Sequence, residues 1–116
     1  MTHHVALETR RADADACVAF FALLGFERVE PPESLRDSAV WVQGGTYQVH
    51  LLLTDAPDVP AKGHVAFVAD DYEADTARLR DAGFEVEPRR EHWGSPRCFV
   101  HDPAGHRVEL MAFPPS

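Results

Sequence analysis

The chain has 116 residues, 45% of them apolar and 26% charged, with a formal net charge of −8. A chain of that size buries a core without disulfides or a structural metal, and the composition excludes long disorder. The acidic balance excludes a nucleic acid partner, which needs clustered Lys and Arg, and no apolar run approaches the roughly 20 residues of a membrane span. The start of the chain lacks a charged-then-apolar signal pattern, so a cytoplasmic address is expected. Cys17 and Cys98 stand apart with no Cys-x-x-Cys pair, which predicts buried thiols in a reducing compartment.

In chain order, Val5 and Leu7 alternate with His4, Ala6 and Glu8 in the period of a half-buried strand. From Asp13, a candidate N-cap, Cys17, Phe20, Phe21 and Leu24 fall on one helical face, and Gly25 stands where a helix stops. Phe26 to Glu30 reads as a short strand, Pro31 to Asp37 as a loop and Ala39 to Gln43 as a strand. Gly44-Gly45 makes a turn, and Thr46 to Leu53 alternates as a further strand. Asp55 to Lys62, with Pro57 and Pro60, reads as a connector.

The pattern then restarts. His64 to Val68 is a strand, Asp70 or Asp71 caps a helix bearing Tyr72, Thr76 and Leu79, and Gly83 ends it. Phe84 to Glu87 is a short strand, Pro88 to Pro96 a polar loop and Arg97 to His101 a strand. Asp102-Pro103-Ala104-Gly105 is a tight turn before a last strand from His106 to Ala112. His4-Val5-Ala6-Leu7 answers His64-Val65-Ala66-Phe67, and Gly25-Phe26-Glu27 answers Gly83-Phe84-Glu85. Such repetition predicts one domain, 1–116, of two βαβββ modules covering about 1–56 and 62–116.

Strand parity places metal-competent side chains together. Val5/Leu7, Val49/Leu51, Val65/Phe67 and Val108/Leu110 are expected on the helix side, so His4, His50, His64 and Glu109 share the opposite face of their strands. Convergence about a pseudo-twofold axis would gather three imidazoles and one carboxylate. That set suits Zn, Ni, Co, Fe or Mn rather than Ca or Mg. His50 is the member with an alternative reading, a neutral hydrogen-bonding group beside a His4, His64 and Glu109 triad. Gln48, Arg97, Phe99, His101 and Met111 share inner faces with these residues and are candidates to line a substrate cavity. Trp93 and Tyr47 are candidates for its apolar wall or for core aromatics, and Arg107, on the face of Glu109, is a candidate cavity residue for which a solvated strand position is favoured.

At these residues the chain resembles the vicinal oxygen chelate superfamily, which includes glyoxalase I, bleomycin-resistance proteins, fosfomycin-resistance enzymes, methylmalonyl-CoA epimerase and extradiol dioxygenases. The resemblance spans essentially residues 3 to 113. It is carried by His4-Val5-Ala6-Leu7, Phe20 to Phe26, His64-Val65-Ala66-Phe67 and the run from Val100 to Leu110. It implies an α+β fold in which paired βαβββ modules form a cup-shaped, partly open mixed β-barrel with helices outside. It also implies a divalent metal held by His4, His50, His64 and Glu109, a small-molecule substrate whose adjacent oxygens chelate it, and a homodimer. The implied activity is a glyoxalase-like lyase or isomerase reaction.

One position departs from that pattern: glyoxalase I is expected to carry a glutamate where this chain has His50. Glu109 is then the one carboxylate of the set and the candidate catalytic base, unless Glu8 enters the site. The resemblance leaves other readings open: an antibiotic-binding protein of the bleomycin-resistance type without catalysis, an Fe(II) extradiol dioxygenase, or a thiol transferase to an epoxide antibiotic.

Overall fold

The second half of the chain rebuilds the first. In the computed structural model, which describes residues 1–116, two compact units cover Met1–Val59 and Pro60–Ser116. Their boundary falls within the expected connector. The first unit runs β1 (His4–Thr9), α1 (Ala14–Ala22), β2 (Glu27–Val29), β3 (Ala39–Gly44) and β4 (Tyr47–Leu53). The second runs β5 (Val65–Val68), α2 (Tyr72–Asp81), β6 (Glu87–Pro88), β7 (Arg97–His101) and β8 (Arg107–Met111). Each is a βαβββ module with one four-stranded mixed sheet, ordered β1-β4-β3-β2 and β5-β8-β7-β6. No helix is long and apolar enough to cross a membrane.

The repeated Gly-Phe-Glu has a local cause. Gly25 and Gly83 adopt φ of 89° and 91°, a left-handed conformation that suits glycine. In the first unit the Gly25 N–H donates to Ala22 O and the Phe26 N–H to Phe21 O, at 3.1 and 3.0 Å. In the second the Gly83 N–H donates to Arg80 O and the Phe84 N–H to Leu79 O, at 2.9 and 3.0 Å. Both helices therefore end in a Schellman motif with phenylalanine just past the glycine, and the Phe21 and Phe26 rings meet edge-on at 5.7 Å as that motif favours. The motif also shortens the following strands. Phe26 and Phe84 spend their N–H groups on the helix, so β2 starts at Glu27 and β6 is only Glu87–Pro88, shorter than the expected Phe84 to Glu87.

The helix starts differ from each other. Asp71 caps α2 as expected, its carboxylate accepting from the Ala74 N–H at 3.0 Å. Asp13 does not cap α1: it is already helical (φ −98°, ψ −7°), its side chain makes no capping bond, and a 3₁₀ turn from Arg11 to Asp13 leads into the helix. A second 3₁₀ turn, Glu33–Leu35, lies within the expected loop.

Between sheet and helix the first unit buries Cys17, Phe20, Phe21, Val42, Val49 and Leu51, and the second buries Leu79, Cys98, Val100, Val108 and Leu110. The residues expected to face the helices on β4 and β8 are thus core residues, while their counterparts on β1 and β5 are half-buried. Both cysteines are free and buried.

Candidate functional site

Register puts corresponding side chains at corresponding points. In the first unit Ala6 pairs with His50 across β1 and β4, and Trp41 pairs with His50 across β3 and β4. In the second, Ala66 and Phe99 flank Glu109 in the same way. Each central ligand candidate therefore has a small residue on one side and an aromatic on the other. The alanine leaves room for the histidine that precedes it, His4 or His64, to reach across.

In the first unit His50 lies 7% exposed between two parallel rings. The Trp41 indole stacks on it at 3.9 Å and 3° between planes, and the His4 imidazole at 3.9 Å and 18°. A relay of side-chain amides sets its tautomer. The Gln43 amide donates to Gly45 O at 3.1 Å, and the Gln48 amide donates to Gln43 Oε1 at 2.8 Å. Gln48 Oε1 is thereby turned toward His50 Nε2, 2.8 Å away, so Nε2 carries the proton and Nδ1 keeps the lone pair. The His3 and His4 Nδ1 atoms are 2.9 Å apart and share one hydrogen bond. On the same face, Gly25, Glu27, Val29, Gln43 and Gly45 line a cavity of about 280 Å³.

Burial pushes the His50 imidazole below its ordinary value of 6.5, and charge on His4 and His3 pushes the same way. A folded value below the unfolded one gives stability present above pH 6.5 and lost as pH falls through the folded value. His50 is expected to titrate by NMR with a midpoint below 6.5, unlike an exposed histidine. A midpoint above 6.5 would contradict the buried, neutral stack.

In the second unit Glu109, 6% exposed, uses both carboxylate oxygens. Oε2 accepts from Arg97 Nε at 2.8 Å and Oε1 lies 2.9 Å from His64 Nε2. The other His64 nitrogen, Nδ1, faces Lys62 O at 2.8 Å, so it donates to that carbonyl. His64 Nε2 therefore faces the carboxylate as a charged N–H donor when the ring is protonated and as a lone pair when it is neutral. Burial alone would raise the Glu109 carboxyl, but hydrogen bonds from Arg97 and His64, with their charges, outweigh it and hold the group below its ordinary 4.5. Arg97 also hydrogen-bonds Arg90 O and lies over the Trp93 ring at 5.6 Å. Trp93 is half-buried, its indole N–H donating to Phe113 O at 2.8 Å.

The donor set can be tested against a divalent ion. Two ligands each about 2.1 Å from a six-coordinate divalent ion and at right angles stand about 3 Å apart, against about 3.4 Å around tetrahedral zinc. His64 Nε2 and Glu109 Oε1 have the six-coordinate separation, at 2.9 Å. A histidine that donates Nδ1–H to a backbone carbonyl and turns Nε2 toward a carboxylate is oriented as metal-ligating histidines are. His64 and Glu109 fit such an ion. His4 and His50 stack face to face, so their in-plane lone pairs do not converge on one ion, and no group of three or more His, Cys, Asp or Glu side chains is placed to hold one.

Of the expected substrate-lining residues, Gln48 contacts His50, Arg97 contacts Glu109, and Phe99 and Met111 are 8% exposed on the Glu109 sheet. Tyr47 is half-buried. Arg107 is corrected: it is half-buried, not solvated, and its guanidinium lies 4.6 Å from the Phe99 ring centroid. Trp41, Gln43 and Arg89 were not anticipated. Trp41 was within reach, because counting back from the Gly44-Gly45 turn places it opposite His50. Arg89 gave no signal, since it lies beyond a two-residue strand.

Comparison with known proteins agrees with this architecture. A glyoxalase family protein from Bacillus anthracis matches with a TM-score of 0.85 at 23% identity, over 96% of this chain and 93% of that one. Lactoylglutathione lyase from Agrobacterium tumefaciens matches at 0.72 and 26% identity, over 96% and 92%. The fosfomycin resistance protein FosX from Listeria monocytogenes matches at 0.78 and 19% identity, over 98% and 91%. None of the curated proteins matches the sequence. The family model for the Glyoxalase/Bleomycin resistance protein/Dioxygenase superfamily matches residues 2–110, and the chain belongs to that superfamily.

Proposed function

We propose that the chain is a metal-dependent lyase or isomerase acting on a small substrate with two adjacent oxygens, the two modules working as one domain. The observation that carries this reading is the His64 and Glu109 pair: an imidazole whose only neutral-state proton is engaged by Lys62 O, with its second nitrogen 2.9 Å from a buried carboxylate. A cation held by both satisfies two facing acceptors. His4 and His50, turned out of their stack, would complete the proposed shell, either within one chain or with a second copy in a homodimer. The ion would supply Lewis acidity to the two substrate oxygens.

The chain's own residues do the rest. Glu109 stays ionised because the Arg97 guanidinium holds its carboxyl low, so the carboxylate can take a proton from a carbon beside a carbonyl and return it to the neighbouring carbon. Arg97 fixes Oε2 and so orients the carboxylate. The Gln48 and Gln43 relay holds His50 in one tautomer. The lactoylglutathione lyase among the similar structures supports isomerisation of a methylglyoxal-thiol adduct as the first reaction to assay.

Stripped protein titrated with Co²⁺ or Zn²⁺ is expected to bind one ion per His4, His50, His64 and Glu109 set, and both His64→Ala and His4→Ala are expected to weaken it strongly. Uptake unaffected by both substitutions, or no stoichiometric uptake, would overturn the reading. His50→Ala separates the remaining alternatives: unchanged affinity makes His50 a hydrogen-bonding group beside a three-ligand site.

A further inference from the structure

Three guanidinium groups crowd one aromatic ring on the Glu109 sheet. The Cζ atoms of Arg107, Arg89 and Arg97 lie 4.6, 4.9 and 5.3 Å from the Phe99 centroid. Every pair of them is therefore separated by roughly the Debye length or less, about 10 Å at 0.1 M salt. Such crowding is costly for like charges unless something compensates. Glu109 compensates Arg97. Arg89 and Arg107 take part in no salt bridge. Glu87, across the strand from Phe99, pairs with neither. Arg107 Nε is buried with no hydrogen-bond partner, on a residue whose cross-strand neighbour His101 adds no acid. A chain of net charge −8 has thus concentrated uncompensated positive charge at one point.

We propose that Arg89 and Arg107, seated on Phe99 beside Glu109, bind a doubly charged oxyanion of the phosphoryl type carried by the substrate. The charge count selects the class: with Arg97 matched by Glu109, two guanidiniums remain, which a dianion neutralises and a single carboxylate does not. Guanidinium geometry suits it as well, because each planar fork donates two parallel hydrogen bonds to oxygens of one tetrahedral group. The ring supplies a rigid platform that orders both arginines before the ligand arrives, reducing the entropy lost on binding. The arrangement also argues against a substrate whose own charged group is cationic. This inference rests on the proposed function in taking the Glu109 face as the substrate face, and its test is kept free of the metal.

The probe is inorganic phosphate, with acetate as the singly charged comparison, titrated calorimetrically into metal-stripped, full-length protein at low salt. Phosphate is expected to bind more tightly than acetate and to weaken as salt rises. Arg107→Met and Arg89→Met are each expected to lower phosphate affinity about tenfold, the loss of a charge-assisted pair of bonds. Arg89 is exposed, so its variant keeps the fold even if that of Arg107 does not, and Arg107→Lys keeps the charge while losing the fork. Affinity unchanged in both methionine variants would overturn the proposal, as would acetate binding as well as phosphate. Phosphate binding that appears only after a divalent ion is added would overturn it too, while leaving the metal reading intact. Phosphate held by the arginines in a protein that takes up no metal would support this inference and sink the proposed function instead.

Discussion

Glu109→Gln is expected to lower divalent-ion affinity by about a hundredfold or more and to abolish the proposed isomerisation, while the protein stays folded. Loss of an outer hydrogen-bond partner alone typically costs about 10–100-fold in metal affinity, and Glu109 is proposed as a ligand itself. Glutamine keeps the size and one acceptor for Arg97 Nε, but it neither binds a cation as a carboxylate does nor takes up a proton. The folded state pays as well. The Arg97 side chain is only 11% exposed, and weakening its charged partner is expected to cost about 1–3 kcal/mol.

The pH dependence identifies the source of that loss. The folded Glu109 carboxyl lies below its ordinary 4.5, so its contribution is fully present above pH 4.5 and is lost as pH falls through the folded value. Denaturant unfolding at neutral and at acid pH should show the gap between wild type and Glu109→Gln closing in acid. A gap that persists would assign the loss to packing. Metal affinity left intact by the substitution would remove Glu109 from the shell.

Much of this was legible because the chain repeats. Duplicate His-Val-Ala and Gly-Phe-Glu segments predicted two βαβββ modules, and the Schellman motifs at Gly25 and Gly83 show why those triplets recur: one backbone conformation and two hydrogen bonds are needed at each helix end. Alternation placed Val49, Leu51, Val108 and Leu110 in the cores and left His50 and Glu109 on the other face. Parity says which side a residue faces but not which neighbour it touches. The Arg97 and Glu109 pair is a diagonal contact, since β7 and β8 register Arg97 opposite Met111 and Phe99 opposite Glu109, and the Trp41, His50 and His4 stack depends on side-chain rotamers. The polar loop after β6 hid Arg89, whose backbone N–H reaches Arg97 O and carries its side chain to Phe99. Asp13 misled for a simpler reason: a 3₁₀ turn already satisfies the start of α1, so no side-chain cap is needed.

Phe21→Ala tests how that scaffold holds the first half of the site. Phe21 is fully buried, meets Phe20 at 5.1 Å and Phe26 at 5.7 Å, and its carbonyl accepts the N–H groups of both Leu24 and Phe26 at the end of α1. Truncating such a phenylalanine costs about 3–5 kcal/mol, a large share of the 5–15 kcal/mol that holds an ordinary domain together. The damage should travel along a definite path. Phe26 packs so closely on the β3–β4 turn that a Cβ on Gly44 would approach its ring to 3.0 Å. With Phe21 gone, Phe26 can relax into the cavity and loosen the hairpin whose strands carry Trp41 and His50. The expected result is a urea midpoint lowered in proportion to that cost, with the Trp41 indole resonance broadened or shifted before global unfolding. A loss under about 1 kcal/mol with Trp41 unmoved would mean that the site collapses around the missing ring, and that Phe21 does not hold the hairpin in place.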